Sequence, residues 1–209
     1  VRSADAVLHP RRSRTHRSEP SLSEALQRPL DAMTDAPAVV QNGRLDILAT
    51  NRLGRALFSE LVESCPGTAN FARFLFLDDR AGDFYRDWGD AARTTVALLR
   101  GASGRASRDR ALNELVGELS VGSDRFRALW AAHDVREHRS GVKRVHHPKV
   151  GDLDLDYTAL NIAADPGLQL LTYTARPGSP SADGLRLLTA CCDDEEASFT
   201  SKKITLDHD

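Results

Sequence analysis

The sequence feature that most constrains the fold of this chain is a pair of helical patterns followed by a run of strand patterns. Residues 112–136 hold two short amphipathic helices, since apolar side chains recur there at helical spacing. From Leu153 the period changes to two, because Leu153, Leu155 and Tyr157 alternate with three aspartates. Helices that lead into antiparallel strands are typical of small-molecule sensing modules, and no catalytic motif lies within this stretch.

A hairpin pattern precedes the helices. Apolar residues 37–40 and 45–49 flank Asn42-Gly43, a strong signal for a two-residue turn. Further helical patterns cover 52–62 and about 81–100, and Gly101–Gly104 is expected to end the second. The order of hairpin, helix cluster and three later strands is that of PAS-like domains. The sequence therefore predicts an α+β, PAS-like fold with about five antiparallel strands and a helix cluster inserted between strands 2 and 3.

Length and composition favour one domain with two tails. We expect residues 1–20 to be a basic linker, 21–190 to be the PAS-like domain, and 191–209 to be an acidic disordered tail. No apolar run approaches the roughly 20 residues that span a bilayer. The first residues also lack the apolar segment of a secretory signal. These features predict a cytoplasmic protein without membrane contact.

The sequence motifs give little support for an enzyme or for a metal site. The three cysteines have no zinc spacing, and reduced thiols are expected. His146 and His147 are adjacent in a predicted strand, so they point to opposite faces. Neither a His-Glu-x-x-His motif nor a Gly-x-Ser-x-Gly elbow occurs. The sequence predicts no enzyme, no metal site and no cofactor, although a small hydrolase using Ser103 or His133 stays as a third hypothesis.

A set of short segments, in this order and spacing, resembles a known family. The segments are AP at 36–37, LDILATNR at 45–52, ELVGELS at 114–120, FRALW at 126–130, HDV at 133–135, GVKR at 141–144, HP at 147–148, VG at 150–151 and YTARPGSPS at 173–181. They resemble the MmyB-like ligand-binding domain, which lies C-terminal to an XRE-type helix-turn-helix in bacterial regulators. The resemblance covers about residues 22–190.

This resemblance implies a function in transcription regulation. It implies a PAS-like fold that holds a small lipophilic, fatty-acid-like effector, in a homodimer that binds DNA only through an N-terminal helix-turn-helix. Residues 1–20 cannot form that motif and the chain begins with Val1, so we expect a fragment or a product lacking its DNA-binding half. The alternative is a PAS-like protein–protein dimerisation module that needs no ligand.

A basic group between residues 136 and 149 supplies the main candidate for ligand contact. In a strand, Lys143 shares a face with Val145 and His147, while Arg144 lies on the other face. Which face meets the pocket stays open. An inward Arg144 needs a carboxylate partner, which a fatty-acid head group would supply in a bidentate pair. The alternatives are a salt bridge to Asp134 or Asp156, or exposure to solvent.

Six further residues complete the predicted ligand site, each with a structural alternative. The indole rings of Trp88 and Trp130 would line a pocket or belong to an ordinary core. His133 is either a ligand contact or a hydrogen-bonded core residue. The asparagine is most simply a helix cap, and the two tyrosines, on adjacent strands, offer hydroxyls to a head group or reach solvent. These residues are Trp88, Trp130, His133, Asn51, Tyr157 and Tyr173.

Overall fold

The structure, a computed structural model, describes residues 24–63, 67–106, 108–132 and 140–192. Its strands are β1 (Ala38–Gln41), β2 (Ile47–Thr50), β3 (Ser140–His147), β4 (Gly151–Asn161) and β5 (Gln169–Thr174). Its helices are α1 (Glu24–Asp31), α2 (Arg52–Leu57), α3 (Ser59–Glu63), α4 (Phe71–Leu77), α5 (Arg80–Phe84), α6 (Trp88–Arg105), α7 (Arg110–Gly122), α8 (Asp124–Ala131) and α9 (180–192).

The strands form one antiparallel sheet in the order β2-β1-β5-β4-β3. The first hairpin therefore meets the last strand at the centre of the sheet, through the pairing of Val39 with Leu171. Helices α2 to α8 lie between β2 and β3 in the chain. This order confirms the predicted α+β, PAS-like architecture with helices inserted between strands 2 and 3.

The turn of the first hairpin is longer than the predicted two residues. Gln41 pairs with Ile47, so residues 42–46 form the loop. The Asn42 side-chain oxygen accepts hydrogen bonds from the backbone N–H groups of Arg44 and Asp46, at 2.8 and 3.1 Å. Leu45 adopts the left-handed conformation with φ 65° and is buried in the core. The prediction of a turn at Asn42-Gly43 is wrong in length because the loop folds inward to bury Leu45.

The predicted helix break at Gly101–Gly104 is also wrong, since α6 continues to Arg105. Two glycines inside a helix cost about 1 kcal/mol each relative to alanine. Here Leu99 and Ala102 are buried in the core, and that packing outweighs the penalty. The helix predicted from residue 81 is instead divided in two, because Tyr85 leaves the helical path and forms a β-bridge with Val145.

The main core lies between the helices and one face of the sheet. Its centre is a group of aromatic rings with centroids 5.0 to 6.2 Å apart, formed by Phe58, Phe71, Phe74, Phe84, Tyr85 and Tyr173. On the opposite face, Leu30 of α1 packs with Ala38, Val40 and Leu168 in a smaller cluster. Alternate strand residues thus enter two separate cores, and the larger one meets the helices.

Two predicted tails lie mostly outside the described residues. Residues 1–23 and 193–209 are among those the structure does not describe. Helix α9 extends to residue 192, two residues past the predicted end of the domain. No helix in the described ranges has both the length and the apolar character needed to cross a bilayer.

Candidate ligand-binding site

A cavity of about 70 Å³ lies between α6 and the helix-facing side of the sheet. Its wall is mostly aromatic and aliphatic, with a few polar side chains. The lining residues are Gln41, Leu45, Phe58, Phe71, Tyr85, Ala91, Thr94, Thr95, Leu98, Lys143, Tyr157, Ala159, Gln169, Leu171 and Tyr173. Predominantly apolar walls with a few polar groups are typical of small-molecule sites.

The periodicities of helix and strand explain which side chains face the cavity. Ala91, Thr94, Thr95 and Leu98 follow the i, i+3, i+4, i+7 spacing of one helical face, and α6 turns that face to the sheet. On the strands, every second residue points to the same side. Tyr157 and Ala159 of β4, for example, line the cavity, while the residues between and after them point away.

Lys143 of β3 brings a positive charge to the cavity. Its Nζ atom lies 5.4 Å from the ring centroid of Tyr85 and 5.5 Å from that of Tyr157. Burial lowers the pKa of the Lys143 amine from 10.5 to about 8, because the low-dielectric surroundings disfavour the charged form. Among the described residues, no carboxylate forms an ion pair with it, and no other lining side chain carries a charge.

Three tyrosines line the cavity, and two of them, Tyr85 and Tyr157, flank this amine. Burial raises the pKa of Tyr85 and of Tyr173 far above the usual value, and it raises the pKa of Tyr157 as well. All three hydroxyl groups therefore stay protonated across the physiological range. The rings of Tyr157 and Tyr173 lie on neighbouring strands with centroids 6.4 Å apart. The cavity thus combines one cationic amine with weakly acidic hydroxyl groups.

The cavity is small for a ligand-binding domain. About 10–15 Å³ on the same measure accommodates one water molecule, whereas pockets for drug-sized ligands have volumes of roughly 300–1,000 Å³. Leu45, Leu98 and Gln169 also line an adjoining groove with Arg105 and Ile162, so the cavity leads toward the surface at one end. A short molecule fits inside, and a longer chain requires α6 to move or must extend into the groove.

The structure brings two of the predicted site residues, Tyr157 and Tyr173, together in the cavity. It places Arg144 outside, on the solvent face of the sheet, where its Nη1 atom donates to Asp87 Oδ2 at 2.7 Å. Asp154 lies 3.9 Å from the same guanidinium. Among the described residues, its ion-pair partners are thus Asp87 and Asp154, rather than Asp156. His133 and Asp134 lie outside the described residues.

Asn51, Trp88 and Trp130 do not line the cavity. Asn51 caps α2 and forms hydrogen bonds with four backbone groups. The indole N–H of Trp88 donates to the carbonyl oxygen of Leu75 at 3.1 Å. Trp130 stacks on Phe126 with ring centroids 5.5 Å apart. These three residues hold the helices and the hairpin in place, in line with the structural alternative for each.

Sequence reasoning missed Lys143, although the alternation in β3 grouped it with Val145 and His147. The register settles which face is inward, because Lys143 pairs with Leu155 and Val145 pairs with Leu153. Directly paired residues share a face of the sheet, and both leucines are fully buried. The apolar stripe of β4, once paired with β3, was therefore the signal that pointed to Lys143.

The two adjacent histidines take up opposite faces, as predicted. His147 is buried, and its Nε2–H donates to the Ala56 carbonyl oxygen at 3.0 Å. Burial lowers its pKa, which favours the neutral ring. His146 is exposed, with Nδ1 2.7 Å from Asp152 Oδ1. In the described part of the chain, no group of three or more His, Cys, Asp or Glu residues is arranged to hold a metal ion.

Comparison with known families adds to this geometry. The family model for the MmyB-like transcription regulator ligand binding domain matches residues 22–188, which include every described strand and the whole lining of the cavity. A comparison with curated proteins finds no match. The family describes the effector-sensing part of transcription regulators, which bind small molecules. The chain belongs to the MmyB-like transcription regulator ligand-binding domain family.

Proposed function

We propose that this domain senses a small lipophilic effector with a fatty-acid-like carboxylate, and that the carboxylate meets Lys143. One observation carries the proposal: the half-buried Lys143 places its ammonium group in a largely apolar cavity, without an ion-paired carboxylate among the described residues. Burial of an unpaired charge is costly, so an anion that entered would relieve the penalty. The proposal treats the domain as a binding module without catalytic activity.

The wall of the cavity supports a lipophilic body for this effector. The lining offers Phe58, Phe71 and Leu171 to an aliphatic chain, and burial of each methylene contributes about 0.8 kcal/mol. The tyrosine hydroxyls near Lys143 are donors that suit a carboxylate oxygen. An effector with its carboxylate at β3 and its aliphatic chain along α6 would therefore contact both the amine and the apolar wall of the cavity.

The small volume suggests how the effector acts on the rest of a regulator. A ligand longer than the cavity shifts α6 relative to the sheet, so it binds the opened form more tightly than the closed form. Such differential affinity is the requirement for coupling to a distant site. We propose that the opened form changes the geometry of a homodimer, and through it the DNA affinity of a helix-turn-helix domain.

Calorimetric titration of the delipidated domain with decanoate tests the proposal. We expect saturable binding by the parent chain and its loss in Ala159→Phe, which fills the cavity from β4. Leu160→Phe is the matched control, because Leu160 is exposed on the opposite face of the same strand. Equal binding by all three proteins, or no binding by the parent chain, would contradict the proposal.

A ligand-independent dimerisation module is the second candidate. The cavity of only about 70 Å³ favours it, as do Val142 and Leu160, two apolar side chains exposed on the outer face of the sheet. Size-exclusion chromatography distinguishes the two functions. A dimer that forms without ligand, is broken by Val142→Asp and is indifferent to decanoate would favour this candidate.

A further inference from the structure

The cavity holds a lysine in a chain that strongly favours arginine. Of the 28 basic residues, only Lys143, Lys149, Lys202 and Lys203 are lysines. The distinction matters chemically, because a guanidinium stays protonated in proteins whereas a buried lysine can lose its proton and act as a nucleophile. The cavity therefore has a group that can form a covalent bond as well as an ion pair.

We propose that Lys143 forms a reversible Schiff base with short aliphatic aldehydes that enter this cavity. This inference rests on the proposed function in one respect, namely that the cavity is the ligand site. It goes further in assigning a covalent mode of detection and a second chemical class of effector. The aldehyde and the carboxylate share an aliphatic chain and differ in the bond made at Nζ.

The surroundings of Nζ favour imine formation. The contacts with the rings of Tyr85 and Tyr157 favour the charged amine, but the nearby wall is largely apolar and favours the neutral form that attacks. No described carboxylate holds it in the protonated form. The lowered pKa of about 8 agrees with this geometry, since about half of the amines are neutral at that pH. An exposed lysine with a pKa near 10.5 is almost entirely protonated there.

The reaction balances without an oxidant or a reductant. The Nζ lone pair attacks the carbonyl carbon, a C–N bond forms, and the carbonyl oxygen takes up a proton. The hydroxyl group of the resulting carbinolamine takes up a second proton and leaves as water while the C=N bond forms, and nitrogen gives up two protons in the course of the reaction. Amine and aldehyde thus give imine and water. The protons pass through water or through the lining hydroxyl groups, which stay protonated at neutral pH.

The reaction should speed up as the pH rises toward 8, because only the neutral amine attacks. The other titratable groups that line the cavity are three tyrosines: Tyr85 at the end of α5 and Tyr157 on β4, which flank the amine, and Tyr173 on β5. Each keeps its proton in this range, because burial raises its pKa. The amine is therefore the group of this site that controls the pH dependence.

Trapping with hexanal and cyanoborohydride tests the proposal on the whole chain. Reduction of the imine adds the mass of the aldehyde less one oxygen atom, and peptide mapping identifies the labelled amine. We expect Lys143 to be labelled on the order of tenfold faster than the exposed Lys149 near pH 8. Lys143→Met should lose the fast label, and Lys143→Arg should lose it while keeping the positive charge. Labelling of Lys143 no faster than that of Lys149, Lys202 and Lys203 would overturn the proposal.

Two non-reactive analogues separate this inference from the proposed function. Hexanoate can form an ion pair but no imine, and hexanol can form neither. If hexanoate raises the melting temperature but hexanal gives no selective label, the Schiff base is wrong and the ligand site stands. If neither hexanoate nor decanoate binds and no selective label forms, both proposals fail. Circular dichroism of the two Lys143 variants confirms that a lost label does not reflect unfolding.

Discussion

At the scale of single residues, Lys143 departs most from what its surroundings favour. It occupies an inward position of β3 opposite the fully buried Leu155, where an apolar side chain would be expected. Removal of its charge from water lowers its pKa to about 8, which means that folding works against the charged form. A residue that reduces stability in the free protein is a good candidate for a role in binding.

Substitution of Lys143 by methionine should stabilise the ligand-free domain. Below pH 8 the amine is charged in both the folded and the unfolded state, so the full penalty is present, and Lys143→Met removes about 2 kcal/mol of it at pH 7. Between pH 8 and 10.5 the unfolded state binds more protons, so the parent chain gains stability and the difference shrinks. Urea unfolding from pH 6.5 to 9.5 measures this.

Lys149→Met is the control, since Lys149 is exposed. It should leave the free energy of unfolding within about 0.5 kcal/mol of the parent value. If the free energies of unfolding of the parent chain and of Lys143→Met differ by the same amount from pH 8 to 9.5, Lys143 has an ordinary pKa and the prediction is wrong.

Asn51 shows how one side chain fixes several backbone segments. Its Oδ1 accepts from the N–H groups of Gly54 and Ala38, at 2.7 and 2.9 Å. Its Nδ2 donates to the carbonyl oxygens of Met33 and Ala36, at 2.5 and 2.7 Å. The sequence predicted the cap of α2 from local spacing. The other bonds arise from residues brought together by the fold, which no local pattern contains.

Asn51→Asp should destabilise the domain by about 2 kcal/mol, because it keeps the acceptor and replaces the donor with a second oxygen. That oxygen would face the Met33 and Ala36 carbonyls without a proton to share. Chemical denaturation measures the loss, and Asn113→Asp on the exposed face of α7 is the matched control. Equal midpoints for the two variants would contradict the role assigned to Asn51.

At the scale of elements, close packing of α2 against β1 fixes the hairpin beside the core. A Cβ atom on Gly54 would collide with the backbone carbonyl of Ala38 and approach the Asn51 side chain. Glycine is required here by proximity rather than by an unusual backbone angle. Contacts between elements also explain why two helix predictions were wrong. Core packing lets α6 continue past Gly101 and Gly104, and the β-bridge between Tyr85 and Val145 separates α5 from α6.

Gly54→Ala should therefore lower the free energy of unfolding by about 2 kcal/mol or more, because a backbone atom cannot move aside cheaply. Gly117→Ala is the matched control inside α7, where a new Cβ meets nothing within 4 Å. It should stabilise the domain by up to about 1 kcal/mol, through helix propensity. Thermal unfolding of both variants gives the comparison, and a harmless Gly54→Ala would refute the close approach.

At the scale of the whole molecule, the order of the elements could be predicted from the sequence, but the residues that line the cavity could be predicted only in part. Period-two and period-3.6 patterns are local, so the strands, the helices and the PAS-like order could be inferred. The strand alternation even separated Lys143 from Arg144. Which of the two faces inward depends on the pairing of β3 with β4, and no local pattern contains that pairing. The candidate for contact with a ligand head group is therefore Lys143, whereas Arg144 binds Asp87 on the outer face.

The proposed function requires an aliphatic ligand that lies between α6 and the sheet. Photolabelling tests this most directly, with a decanoic acid that carries a mid-chain diazirine, followed by peptide mapping. We predict labels on Thr94 or Thr95 of α6 and on Ala159 or Leu171 of the sheet, all suppressed by excess decanoate. Labels confined to the outer face around Leu160, or labels that decanoate does not suppress, would contradict the account.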